Sequence, residues 1–113
     1  MTSPSSSSSH STSFTAAERR FLQANEACRV ATCHDDIPHV VPVSYVFEEK
    51  KDGNGAFFYF ATDLGTRKLE NIEQNARIAL VVDVYDSSVG NRAVCVQGTA
   101  EILDRGPEFR RLY

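Results

Sequence analysis

No apolar run in this chain approaches the length of a membrane span, and its opening Met-Thr-Ser-Pro-Ser segment lacks the apolar centre of a secretory signal. The expectation is a soluble, cytoplasmic protein with no membrane partner. A basic excess is missing too. With 12 Lys and Arg against 15 Asp and Glu, the formal net charge is −3, which argues against a general nucleic-acid binder but does not forbid one local basic pocket. Cysteine is scarce and odd in number: Cys28, Cys33 and Cys95. Cys28 and Cys33 are five apart in strand-like sequence, so their side chains point to opposite faces and cannot readily bridge. All three read as reduced. The chain also lacks any convincing Ser-His-Asp or paired-carboxylate arrangement, so no catalytic residue is assigned. His34 and His39 flank Asp35 and Asp36, with His10 in the tail, but the spacing matches no common metal-ligand set and reads as a solvated turn.

What is present is an ordinary globular composition, 42% hydrophobic and 24% charged over 113 residues, enough for one domain with a usable core. Residues 1–13 form a Ser/Thr-rich tail too polar to bury anything, expected to be disordered and outside the fold. The domain is expected over 14–113. Thr15-Ala-Ala-Glu18 matches a capping box and predicts a helix that runs to Ala27, with Ala17, Phe21, Leu22 and Ala24 along its apolar side.

From Cys28 the hydrophobic period falls to two, which marks strands. They are predicted at 28–34, 39–48, 56–62, 77–85 and 92–103, the first two antiparallel across a turn at 35–38. A hairpin loop is predicted at 50–55. Both faces of the second strand are largely apolar. Pro42 lacks a donor for the ladder, which predicts an edge or a break at that point. Gly98 predicts a bulge or the close approach of another backbone. Residues 107–113 read as the start of a further helix. Five strands with one helix between the third and fourth point to an antiparallel barrel, and the two-sided apolar strands predict burial of the outer faces against a second copy.

The chemistry concentrates at 60–76, which reads as a strand end, a Gly turn and a short helix over 66–75 capped by Thr66. Arg67 and Lys68 stand in the first turn, where unpaired N–H groups already carry partial positive charge, and each cation there costs about 0.3–1 kcal/mol unless an anion offsets it. Backbone N–H groups, the Thr66 hydroxyl and two cations form a candidate phosphate seat. The alternative is a solvent-facing helix start whose charges pair with Asp63 or Glu70.

Four segments in order carry a resemblance: His-Val-Val-Pro-Val-Ser at 39–44, Phe-Tyr-Phe-Ala-Thr-Asp-Leu-Gly-Thr-Arg-Lys at 58–68, the run 71–82, and Val-Gln-Gly-Thr-Ala-Glu at 96–101. Together they resemble the pyridoxamine 5′-phosphate oxidase-like, FMN-binding split-barrel family over about residues 15–113. The resemblance implies a mainly β, Greek-key split β-barrel that forms a homodimer with FMN at the interface and acts on a small molecule. It implies that Arg67 and Lys68 hold the FMN phosphate with Ala61, Thr62 and Thr66 close by. It also implies that His39, Val40, Val41, Pro42, Val43 and Ser44 line the phosphate and ring, and that Arg92 approaches the ring from the partner chain. Two departures stand out. Ser44 occupies the place of the oxidase's substrate-binding lysine, and the last strand of such barrels, with its further cofactor and substrate contacts, is not found by residue 113, so vitamin B6 chemistry is not expected. Separately, Ala93 stands where the oxidase has a glutamine that contacts the ring.

The leading function is therefore a flavin-dependent oxidoreductase, in which FMN carries the hydride and the protein supplies position and electrostatics. A deazaflavin coenzyme is the alternative cofactor, because relatives of this barrel bind it in the same groove. A non-catalytic flavin-binding module is a second class. A nucleic-acid-binding barrel is a third, but Phe57, Phe58, Tyr59 and Phe60 alternate within one strand beside no basic run and read as core.

Overall fold

A computed structural model describes residues 13–63 and 65–103, and the backbone of 2–4. Helix α1, Ala16–Ala24, begins at the predicted cap: the Glu18 amide donates to the Thr15 hydroxyl at 3.1 Å and the Thr15 amide to the Glu18 carboxylate at 2.7 Å. It ends earlier than predicted. The Asn25 side chain donates to the Phe21 carbonyl at 2.8 Å, competing for a helix acceptor and turning the chain into extended structure. Leu22 is fully buried, whereas Ala17 and Ala24 are exposed.

Numbered along the chain, the strands are β1 Thr2–Pro4, β2 Ala27–His34, β3 Ile37–Ser44, β4 Val46–Glu49, β5 Ala56–Tyr59, β6 Arg77–Val84 and β7 Arg92–Ala100. Helix α2, Arg67–Gln74, lies between β5 and β6. All pairings are antiparallel, in the order β3-β2-β6-β7-β1-β5-β4. The two outermost strands, β3 and β4, are consecutive in the chain and separated only by Tyr45, so the sheet curls back on itself around one core. Leu22, Val30, Phe58 and Val82 are its largest fully enclosed side chains.

The strands differ from the sequence reading in several places, among them the third predicted strand, 56–62, which stops at Tyr59. The predicted strand 39–48 is two strands, broken at Tyr45 rather than Pro42. The Tyr45 amide donates to the Glu26 carbonyl at 2.9 Å and its hydroxyl to the Leu22 carbonyl at 2.6 Å, so both polar ends bond outside the ladder. Pro42 sits unbroken on β3 because β3 is an edge strand, the one place a missing donor is tolerated. Strand β3 also starts at Ile37, since Asp35 and Asp36 alone make the turn, both with left-handed φ of 54° and 62°. Gly98 makes no bulge: β6 and β7 stay in register from Arg77↔Thr99 to Val84↔Arg92, and the close backbones are β6 on one side and β1 on the other.

The tail also departs from expectation, because Thr2–Pro4 pairs with β7 and contacts β5. Pairing there uses backbone groups alone, so a polar sequence is no bar to it. The predicted helix at 107–113 lies outside the described residues, and the predicted fifth strand stops at Ala100. No helix among the described residues is long and apolar enough to cross a membrane.

Candidate functional site

Strand parity decides what β3 can offer. Its residues pair across to β2 as Val43↔Cys28, Val41↔Val30 and His39↔Thr32, which places His39, Val41 and Val43 on the core face with three buried neighbours. Val40, Pro42 and Ser44 take the outer face and are exposed, Val40 by 61%. One six-residue segment thus addresses two sides of the sheet. His39 is half-buried, and its Nδ1 is enclosed without a hydrogen-bond partner among the described residues.

The turn before α2 is organised by hydroxyls. Thr66 Oγ1 caps the helix by accepting from the Leu69 amide at 3.2 Å, donates to the Asp63 carbonyl at 3.1 Å, and lies 3.0 Å from Thr62 Oγ1. Its one hydrogen is committed to Asp63, so Thr62 is the donor of that last pair. Gly65 completes the turn at φ 80°, a conformation that favours glycine. Ala61 is exposed and Thr62 half-buried beside it.

Along α2, the helical offset of about 100° per residue separates the two cations. Lys68 turns inward with Leu69, Asn71 and Ile72; it is only 9% exposed, with its Nζ 5.9 Å from the centre of the Phe60 ring. Burial lowers its pKa, opposed by the smaller attraction of Asp63 and of Cys28. It makes no hydrogen bond or ion pair among the described residues. Arg67 points the other way, and pairs with neither Asp63 nor Glu70. It lines a groove of about 430 Å³ between the outer side of α2 and the β2–β3 turn, facing His34, Asp35 and Ile37 alongside Glu70 and Gln74.

The sheet and helix are joined by Asn71, 4% exposed, whose Nδ2 donates to the Thr32 hydroxyl at 3.0 Å. Farther along, Asn75 Nδ2 donates to the Cys33 carbonyl at 3.0 Å. Cys28 is buried in the core, which pushes its thiol up to about 11 and leaves it a poor nucleophile. Thr62, Thr66 and Lys68 are therefore gathered at the start of α2, while α2 packs on β2 and on β3, the strand of His39. Arg92 stands apart on β7, with β6 and β2 between it and β3. Thr32 and Asn71 were not singled out by the sequence. The signal was there: Asn71 interrupts the apolar side of α2 between Leu69 and Ile72, and Thr32 replaces an apolar residue in the alternation of Cys28 and Val30.

Comparison with known proteins agrees with this architecture. A family model described as pyridoxamine 5′-phosphate oxidase matches residues 14–113. A 5a,11a-dehydrotetracycline/5a,11a-dehydrooxytetracycline reductase from Streptomyces rimosus is 38% identical over 104 residues, covering 87% of this chain and 70% of that protein. The crystal structure of a FAD-binding protein from Mesorhizobium loti superposes with a TM-score of 0.67 at 30% identity, covering 87% of this chain and 68% of the other. A conserved hypothetical protein from Mycobacterium tuberculosis gives a TM-score of 0.70 at 19% identity over 95% of this chain and 64% of its own, a likeness of fold.

Proposed function

Since the chain belongs to the pyridoxamine 5′-phosphate oxidase family, with a split-barrel fold, we propose that it binds a phosphorylated flavin, FMN in the first instance, and serves as a flavin-dependent oxidoreductase on a small molecule. The observation that carries the reading is Lys68, a residue only 9% exposed whose ammonium has no carboxylate bonded to it among the described residues, beside two threonine hydroxyls at a helix start. A cation in that position is costly alone and favourable beside a phosphate. Lys68 holds the phosphate, Thr62 and Thr66 shape the turn through their paired hydroxyls, Arg67 adds a cation from the outer side of the helix, and His39 faces the seat from β3. The flavin, when bound, supplies hydride transfer; the chain supplies position and electrostatics.

The outer residues Val40, Pro42 and Ser44 and the distant Arg92 fit a cofactor held between two copies, with Arg92 contributed across the interface. This accounts for an edge strand that leaves apolar side chains in solvent. The names of the S. rimosus reductase and the M. loti FAD-binding protein support reduction as the chemistry and a flavin as the carrier.

The deciding measurement is the absorption spectrum and mass of whatever copurifies, followed by parallel titrations with FMN, FAD, riboflavin and a deazaflavin coenzyme. Uptake of FMN in preference to riboflavin, with reduction of the bound flavin by a nicotinamide donor, is the expected result. A protein that takes up no flavin refutes the proposal, and preferential uptake of the deazaflavin coenzyme replaces FMN with that cofactor. Size-exclusion chromatography of the loaded protein tests the dimer.

A further inference from the structure

Two facing groups inside the β2–β3 hairpin each lack what the other has. Thr32, 2% exposed, accepts from Asn71 Nδ2 at 3.0 Å, which leaves its own hydroxyl hydrogen with no acceptor among the described residues. Directly opposite in the ladder, His39 holds an enclosed Nδ1 with no donor among the described residues. Opposed residues of an antiparallel pair have Cβ atoms only about 4.5–5.5 Å apart, a span that a rotamer change or one water closes. A buried ring nitrogen and a buried hydroxyl left unmatched are each expensive, and this pair is complementary.

We propose that Asn71, Thr32 and His39 form a positioning relay. Asn71 donates to Thr32, Thr32 donates to His39 Nδ1, directly or through one water, and the neutral imidazole is thereby held with its proton on Nε2. His39 then presents an N–H donor, rather than a lone pair, toward the space between β3 and the start of α2. The relay ties that donor to the helix that carries Lys68, because Asn71 lies one turn beyond Lys68 on its buried side. Thr32 and Asn71 touch no ligand; they set which ring nitrogen of His39 can. The part of the inference that concerns anion affinity rests on the flavin-phosphate reading above, whereas the tautomer does not.

The test is ¹⁵N NMR of the histidine rings in the flavin-free protein, with His39 assigned by the signals lost in His39→Gln. In the parent protein, neutral His39 is expected to carry its proton on Nε2, with Nδ1 at a hydrogen-bonded position. Thr32→Val should move Nδ1 to an unbonded position and admit the other tautomer, while Thr32→Ser restores the parent spectrum. FMN should then bind Thr32→Val roughly two- to tenfold more weakly, with riboflavin affinity nearly unchanged. A proton on Nδ1 in the parent spectrum overturns the relay, and that spectrum decides the matter even if Thr32→Val fails to fold. Unchanged ring shifts in folded Thr32→Val overturn it as well. The expected shifts without flavin uptake uphold the relay and reject the flavin reading instead.

Discussion

Replacing Lys68 by methionine should make the flavin-free protein more stable and its hold on a phosphorylated cofactor weaker. Lys68 is 9% exposed as a residue, and burial depresses its pKa more than the attraction of Asp63 and Cys28 raises it; it is therefore a charge with part of its hydration removed and no carboxylate bonded to it among the described residues. Methionine matches its reach and removes the charge. The contact with Phe60 at 5.9 Å is lost, worth about 0.5–1 kcal/mol at most, and the relieved desolvation exceeds it. A net gain on the order of 1 kcal/mol corresponds to a rise in Tm of about 4–8 °C for a domain of this size. The same substitution removes a charge-assisted bond to phosphate of about 1.5–3 kcal/mol, or about 10- to 150-fold in Kd for FMN, with riboflavin spared. Thermal unfolding by circular dichroism at pH 7 without flavin, and flavin-fluorescence titrations, measure the two halves. A Lys68→Met protein that melts several degrees lower, or that loses FMN and riboflavin equally, would refute the reasoning.

Three further outcomes follow from the geometry. Burial raises Cys28 from 9.0 to about 11, so the unfolded thiol ionises first and stability falls as pH rises through that window, by about 2–3 kcal/mol in total; Cys28→Ala should flatten this part of a pH series of denaturation midpoints. Tyr45, raised from 10.0 to about 12 by burial, extends the loss to higher pH, while Lys68, with its pKa lowered, works against it by shedding its proton first in the folded chain. Tyr45→Phe leaves the Leu22 carbonyl without its partner and should cost about 1–2 kcal/mol in urea unfolding, with the m-value unchanged. Asp36→Gly, at a φ of 62°, should stabilise the hairpin by about 0.5–1 kcal/mol; a lower midpoint would mean that the Asp36 side chain contributes more than its backbone strain costs.

The barrel was legible in the sequence because its strands alternate cleanly: Ile78, Leu80 and Val82 are all buried, as their spacing requires. The helix caps were legible because Thr15 and Thr66 satisfy backbone donors that their own sequence neighbours expose. The break at Tyr45 was not. Nothing in the alternation 43, 45, 47 changes there; the interruption comes from hydrogen bonds to Leu22 and Glu26, residues brought close only by the fold. Placement of Thr2–Pro4 was hidden for a similar reason, since backbone pairing leaves no mark in a serine-rich composition. Within the site, the Thr66, Arg67 and Lys68 cluster could be named but not its divergence, which depends on how far α2 is rolled against β2. Asn71 and Thr32 were visible as interruptions of the apolar pattern, but their meaning was not, because it lies in a pair 39 positions apart.

The alternation along β3 also restricts how this protein can diverge. His39, Val41 and Val43 look inward and Val40, Pro42 and Ser44 outward, so a substitution at any one of them alters one compartment and leaves the other untouched. Insertion or deletion of a single residue between 37 and 44 would exchange the two sets at once, sending valines meant for the interior into solvent and a proline and a serine into the core. New specificities in this lineage are thus reachable by point changes on either side of β3, whereas length changes are confined to its ends.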